Sequence, residues 1–275
     1  MRLTPGSHPV APAAPPPATS AEGIRQTVAE IIAPVARLQA ELAREWPLAL
    51  DVARARARLE AGAAAFEPLA LIGSAGDLLV PYVRATVALE RAGLAGDPEA
   101  SQARERRHQV LPLVVAWLGG EPPPHDAAKA TARRAAAIVA RSVLRRAIAI
   151  LRGAQPADAA SRVEQRLAQW DRQTCPCCSG PPDFAVREPD GRVLVCSRCD
   201  TTWRTTALGC LGCGARDAPT LARIVSPAIG YQLTICNSCG RYMKEPLDSR
   251  AIDPLVDRAL TAELDAAAEA RGLRL

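Results

Sequence analysis

"CPCCSGPPDFAVREPDGRVLVCSRC", residues 175–199, holds five of the nine cysteines of a chain whose first 174 residues contain none. Four of the five form two C-x-x-C pairs, Cys175 with Cys178 and Cys196 with Cys199, set 17 residues apart. Between the pairs, "FAVRE" and "RVLVC" flank "PDG", which predicts a β-hairpin. The form C-x₂-C, hairpin, C-x₂-C is that of a zinc ribbon or a rubredoxin-like site. A two-residue insert lets one tight turn aim both thiolates at a single point while backbone N–H groups of the turn donate to the sulfurs. The hairpin then carries a second such turn to the opposite side.

The pattern occurs a second time. Cys210 and Cys213, then Cys236 and Cys239, stand 22 residues apart, with "ARIVS" and "YQLTIC" flanking "PAIG". Eight cysteines therefore make two quartets: Cys175, Cys178, Cys196 and Cys199 for one ion, and Cys210, Cys213, Cys236 and Cys239 for another. Gly214 and Gly240 directly follow the second Cys of their pairs, where the turn needs a positive φ. Asp200 tolerates that conformation, and Ser179 followed by Gly180 is the looser fit. Four thiolates suit Zn²⁺ and mononuclear iron alike. Either ion would supply folding energy that residues 175–245, poor in large apolar side chains, otherwise lack; structural zinc contributes on the order of 10–16 kcal/mol in finger peptides. A thioredoxin-like reading of "CPCC" fails for want of a βαβ context. Cys177, inside the first insert, is expected to point away from the ion as a spare thiol, with a reactive or sulfur-handling thiol as the alternative.

Outward from this region the texture changes. The chain has 275 residues, is 48% hydrophobic and carries a net charge of +5, enough for a core of its own and too modest a charge to announce a nucleic-acid binder. No run approaches the roughly 20 apolar residues of a membrane helix, and "MRLTPGSHPVAPAAPPPATS" lacks a signal-peptide apolar region, so a cytoplasmic protein without membrane insertion is expected. A reducing compartment and an odd count of nine cysteines argue against a disulfide framework. Residues 1–20 read as a disordered Pro/Ala-rich arm. Residues 21–173 read as an α-helical domain of six or seven helices, in which Ile24, Val28, Ile31, Ile32, Val35 and Leu38 recur at helical spacing. The remainder divides into a first rubredoxin-like module at 174–207, a second at 208–247, and a C-terminal helix at 248–275. That helix is capped by Asp253, with Pro254 at its first position and Gly272 at its end.

In "DAAKATARRAAAIVARSVLRRAIAILRG", residues 126–153, Arg134, Arg141, Arg145 and Arg152 fall within roughly 20° of one another on a helical wheel. The stripe reads as a solvated face of a bundle helix or, alternatively, as a partner-docking surface. Nothing reads as catalytic. His8, His108 and His125 lie outside the cysteine clusters, and four protein ligands close each metal site to Lewis-acid chemistry, so an enzyme is not expected.

The words around the cysteines carry a resemblance. "CPCCSGPPDFAV", "LVCSRCDTTWRTTALGCLGCGA", "ICNSCGRYMKEPLD" and "AIDPLVDRALTAELD" together resemble the C-terminal half of the formate dehydrogenase accessory protein family, FdhE. The similarity spans about 100 residues and includes Trp203, four residues after Cys199. A departure is "CPCCSGPP", where the family more usually has Gly directly after the second Cys and no Cys between. The resemblance implies a cytoplasmic assembly factor that binds the catalytic subunit of a molybdenum- or tungsten-dependent formate dehydrogenase, with two metal ions, iron favoured over zinc, at its Cys sites. Two other classes stay open. A zinc-ribbon nucleic-acid-binding protein would need basic residues interleaved with stacking aromatics, whereas only Phe184, Trp203 and Tyr231 lie between Cys175 and Cys239. A rubredoxin-like electron carrier would not need the helical domain.

Overall fold

The computed structural model describes residues 20–94, 110–120, 127–153, 157–217 and 220–275. The expected arm, apart from Ser20, and all three histidines lie outside the described residues. The helical part comprises α1 (Ala21–Ile31), α2 (Ala33–Glu45), α3 (Val52–Glu60), α4 (Pro68–Gly73), α5 (Leu79–Arg91), α6 (Val110–Gly119), α7 (Ala127–Gly153) and α8 (Ala157–Ala168). These are eight among the described residues, where six or seven were expected. One reason is that the periodic run from Ile24 to Leu38 is broken at Ile32: Pro34 lies in the first turn of α2 and disfavours a continuous helix through the residue before it. Ser20 caps α1 by accepting from Gly23 N, and Asp51 caps α3 by accepting from Arg54 N, as Ser and Asp do at helix starts.

Helix α7, about 40 Å long at 1.5 Å per residue, is the hub of this domain. Ala135, Ala136, Val139, Ala140, Val143, Leu144 and Ala147 are all fully buried, and they take in most of its circumference. Helices α2, α5 and α6 pack around it. The reading of α7 as a bundle helix with a solvated arginine face agrees with the exposure of Arg134 and Arg152 but not with Arg141, which is buried. Alanine and serine, which look neutral in a hydrophobic pattern, here permit close approach of neighbouring helices. Even Thr131 and Ser142 are buried, the latter returning its hydroxyl to Ile138 O at 2.7 Å.

In the cysteine-rich part the two tandem modules stand side by side in one six-stranded sheet. Its strands are β1 (Pro182–Glu188), β2 (Gly191–Cys196), β3 (Thr202–Thr205), β4 (Leu221–Ser226), β5 (Tyr231–Cys236) and β6 (Tyr242–Pro246), in the order β3-β2-β1-β6-β5-β4. The hairpins β1–β2 and β4–β5 fall where the turn signals put them. Each gains a third antiparallel strand, β3 or β6. The two halves join through a parallel contact of β1 with β6 that pairs Phe184 with Lys244.

One face of the sheet is covered by the C-terminal helices α9 (Pro254–Leu260) and α10 (Ala262–Glu269), and by α1. Phe184, Val195 and Tyr231 pack with Leu260, Ile24 and Val28, while Leu233, Ile235 and Tyr242 pack with Ala268 and Leu264. The opposite face of β1–β3 joins the helical core through Ala185, Leu194 and Trp203. The terminal helix expected as a single element is interrupted at Thr261, whose hydroxyl donates to Asp257 O at 2.6 Å, a back-bond that bends helices. Its start is as read, with Asp253 accepting from Leu255 N and Val256 N and Pro254 in the first turn.

Candidate metal centres

The four C-x-x-C turns converge in two groups. The Sγ atoms of Cys175, Cys178, Cys196 and Cys199 all lie within 4.8 Å of one another, as do those of Cys210, Cys213, Cys236 and Cys239. Sulfur separations of 3.5 Å (Cys175 to Cys199), 3.4 Å (Cys178 to Cys196) and 3.5 Å (Cys210 to Cys239) are far too long for disulfides. They sit close to the roughly 3.8 Å edge of a tetrahedron with 2.3 Å metal–sulfur bonds. Within three of the turns a backbone N–H donates back to the first sulfur: Cys177 N to Cys175 at 3.3 Å, Arg198 N to Cys196 at 3.4 Å and Gly212 N to Cys210 at 3.2 Å. Such bonds favour the thiolate that a metal needs. At Cys236, burial alone would raise the thiol, but the N–H groups of Cys239 and Ser238 and the neighbouring sulfurs outweigh it and bring the thiol down to about 7. At Cys175, Cys199 and Cys239, by contrast, burial prevails and raises the thiol. The donor sets fit two ions, one per quartet.

Every turn closes in the same way. The residue after the second Cys has a positive φ in all four: Ser179 at 56°, Asp200 at 62°, Gly214 at 77° and Gly240 at 68°. The sequence "CPCCSG", the looser fit, thus adopts the same turn as the others and places Ser179, not Gly180, in the left-handed region. A left-handed residue with a Cβ costs roughly 1–2 kcal/mol, and Ser179 is exposed with only its backbone N–H bond to Cys175 O to offset it. Ser179→Gly is therefore expected to stabilise the metal-loaded protein by about 1 kcal/mol, read as a higher urea midpoint.

The two centres differ in exposure. All four cysteines of the first are buried, whereas in the second Cys213 is exposed and Cys210 and Cys239 are half-buried. Release from a buried centre requires local opening of its surroundings. An excess of a high-affinity chelator is expected to remove the second ion at least about tenfold faster than the first. Two kinetic phases of equal amplitude in a colorimetric metal-release assay would report this, with the fast phase abolished in Cys213→Ser.

The first centre is held from three sides. Its leading turn hydrogen-bonds to the helical domain through Ala65 N to Pro176 O and Phe66 N to Cys177 O, both 2.9 Å. The Cys177 side chain is fully buried in the core shared by the helices and the sheet. Its second turn is gripped by α7 and α9. Arg141 donates to Ser197 O at 2.8 Å and lies over the Trp117 ring, and Asp200 meets the guanidinium groups of Arg141, Arg145 and Arg258. Arg258 also binds Asp183 with Nε to Oδ2 at 2.6 Å, and donates to Cys196 O at 2.7 Å. Burial opposes charge at both Asp183 and Arg258, yet their attraction prevails, holding the carboxyl below its usual range and the guanidinium above its own. Arg141, by contrast, is lowered to about 10 by burial and by the nearby Arg258, against the pull of Asp200.

The four arginines of the α7 stripe thus have definite positions. Arg141 is buried within the chain. Arg145 reaches Asp200 at 3.4 Å, Arg152 pairs with Glu164 at 2.9 Å, and Arg134 donates to Leu94 O at 3.0 Å. The stripe clamps the helical domain to the first centre at Arg141 and Arg145. The clamp residues Asp183, Asp200 and Arg258 escaped sequence reasoning because they come from three distant segments, and no local spacing links them. The signal available was Asp200 itself, the one acidic residue placed directly after a ligand.

No family model matches the chain, and no curated protein matches it. Among solved structures, the chain shares its fold with the FdhE protein from Pseudomonas aeruginosa. The two superpose with a TM-score of 0.55 at 22% identity over 93% of this chain and 92% of the other. The superposition covers the helical part as well as the cysteine-rich part, whereas the sequence words that carry the resemblance belong to the C-terminal half alone.

Proposed function

We propose that this chain is an accessory factor for formate dehydrogenase, which binds the immature catalytic subunit in the cytoplasm and is needed for that enzyme to become active. The observation that carries the reading is the joint presence of the FdhE fold over nearly the whole chain and of two complete Cys₄ quartets. A zinc-ribbon nucleic-acid binder or a small electron carrier requires no helical domain of this size. Here that domain is built into the first centre through α7, Asp200 and the Ala65–Phe66 segment, so centre and helices form one body.

In this reading the ions are structural. Each would cross-link two turns that the hairpins bring together, with Cys175, Cys178, Cys196 and Cys199 holding the first and Cys210, Cys213, Cys236 and Cys239 the second; iron is favoured and zinc is the alternative. Four protein thiolates leave no open position for a substrate, which supports recognition rather than turnover. Among the described residues no helix is long and apolar enough to cross a membrane. The exposed parts of Arg134, Arg145 and Arg152 remain available to contribute to docking, while Arg141 supports the domain contact from within. The test is loss of the gene in its host. Formate dehydrogenase activity is expected to fall at least about tenfold while the catalytic polypeptide is still made, and to return with the wild-type chain. Unchanged activity in the deletion strain would reject the reading.

A further inference from the structure

Beside the second centre the uncovered face of the sheet forms a cleft of about 500 Å³. Five arginines line it: Arg187 and Arg192 from the β1–β2 hairpin, Arg216 after the third cysteine turn, Arg223 on β4, and Arg241 after the fourth turn. Among the described residues, no Asp or Glu side chain lines it. Glu245 is buried and already takes Arg187 at 2.9 Å together with Gln232 and Thr234. Arg192 is buried and lowered by that burial, with carbonyl oxygens of Ala207 and Gly209 as its hydrogen-bond partners. Arg216 and Arg223 are exposed, Arg241 is half-buried, and none of the three has a side-chain hydrogen bond or ion pair among the described residues.

Leu208, Leu211, Leu221, Met243 and Leu275 supply an aliphatic part of the lining, Thr234, Cys210 and Cys236 also line it, and its single aromatic is Tyr242. Leu208 is 72% exposed. The strand at this end of the sheet, β4, is outermost and presents Ile224 and Val225 to solvent. Residues i and i+2 share a face of a strand, so Val225 continues the surface of Arg223. Guanidinium groups interleaved with aliphatic contacts, and a shortage of stacking rings, disfavour a nucleobase. They match carboxylate side chains alternating with apolar ones.

We propose that this cleft docks an extended acidic segment of a protein partner, with carboxylates on Arg216, Arg223 and Arg241 and an apolar side chain against Leu208 and Met243. The inference deepens the accessory-factor reading and rests on it only for the identity of the protein that supplies the segment. Cys210 and Cys236 of the more exposed centre line the cleft, so docking there would cover them.

The test uses the metal-loaded full chain and labelled ten-residue peptides on a Ser/Gly/Leu frame carrying zero, two or four Glu, each with a Gln counterpart, in fluorescence anisotropy. Affinity is expected to rise at least about tenfold from zero to four Glu, to be absent in the Gln series, and to weaken with salt as exposed ion pairs do. The variant R216E/R223E/R241E should lose the effect while keeping two ions per chain, and the charge-matched variant R54E/R166E/R271E, altered at exposed sites outside the cleft, should keep it. Equal binding of Glu and Gln peptides, or equal loss in both variants, would overturn the proposal. Binding of pyrophosphate without any acidic peptide would overturn it in favour of a small-anion site. Because no formate dehydrogenase enters the assay, failure here leaves the accessory-factor reading standing, and failure of the gene-deletion test leaves the peptide result standing.

Discussion

Replacing Arg258 with alanine is expected to destabilise the metal-loaded protein by about 3–5 kcal/mol, the cost of leaving buried charges without their partner. The loss strands Asp183, which is 3% exposed in its side chain, and removes one of three arginines from Asp200. It also frees Cys196 O. The pH dependence separates this mechanism from lost packing. In the parent chain Asp183 is held below its ordinary carboxylate range, so its contribution is present above the unfolded-state value of about 4 and disappears as pH falls through the folded one. Without Arg258, burial dominates and the folded Asp183 rises above the unfolded value. The stability gap between parent and variant is then widest near neutrality and narrows as pH falls and Asp183 protonates. Urea unfolding at about pH 7 and pH 4.5 reads the gap directly; a constant gap would assign the loss to packing.

The double replacement of Cys196 and Cys199 by serine should have the largest effect on the cysteine-rich half. It leaves Cys175 and Cys178 facing an incomplete donor set, and withdraws a cross-link that contributes on the order of 10 kcal/mol in isolated finger peptides. One ion per chain, in place of two, is expected by metal analysis. Residues 175–206 should become protease-sensitive, while the helix content of α2, α5 and α7 persists. Two retained ions would contradict the pairing of the first turn with the second. That pairing now rests on sulfur separations of 3.4–3.5 Å and not on spacing alone.

The two cysteine quartets were legible because C-x₂-C, a hairpin and a second C-x₂-C form a local code: each turn needs only its own few residues, and each hairpin announces itself through "PDG" or "PAIG". The left-handed residue after the second Cys was legible for the same reason at Asp200, Gly214 and Gly240, but not at Ser179, where the sequence reads as a looser fit and the turn nevertheless closes in the same way. The parallel seam of β1 with β6 was not. It rests on a contact between Phe184 and Lys244, 60 positions apart, and it buries a lysine that sequence reading would place in solvent. Lys244 is 1% exposed, stacked on the Phe184 ring with Nζ 4.4 Å from its centroid and paired with Asp265 at 2.7 Å. A partner from α10 neutralises it, and nothing near position 244 announces that partner.

What the arginine stripe on α7 faces was not legible, for a related reason. Periodicity shows that Arg141 and Arg145 share a face of a helix, but what lies opposite that face is decided by tertiary packing. Opposite it stands Asp200, which carries the first centre. The same limit concealed the role of Cys177. Its place between two ligands suggested a spare thiol, and the structure makes its carbonyl the anchor for Phe66 N while its side chain fills the core between helices and sheet.

Affinity capture of the full chain from host cells grown with formate, followed by protein identification and metal analysis of the same eluate, tests the central claim most directly. A formate dehydrogenase catalytic subunit is expected in the eluate together with two ions per chain, iron in preference to zinc. An eluate that carries nucleic acid and no catalytic subunit would contradict a maturation role.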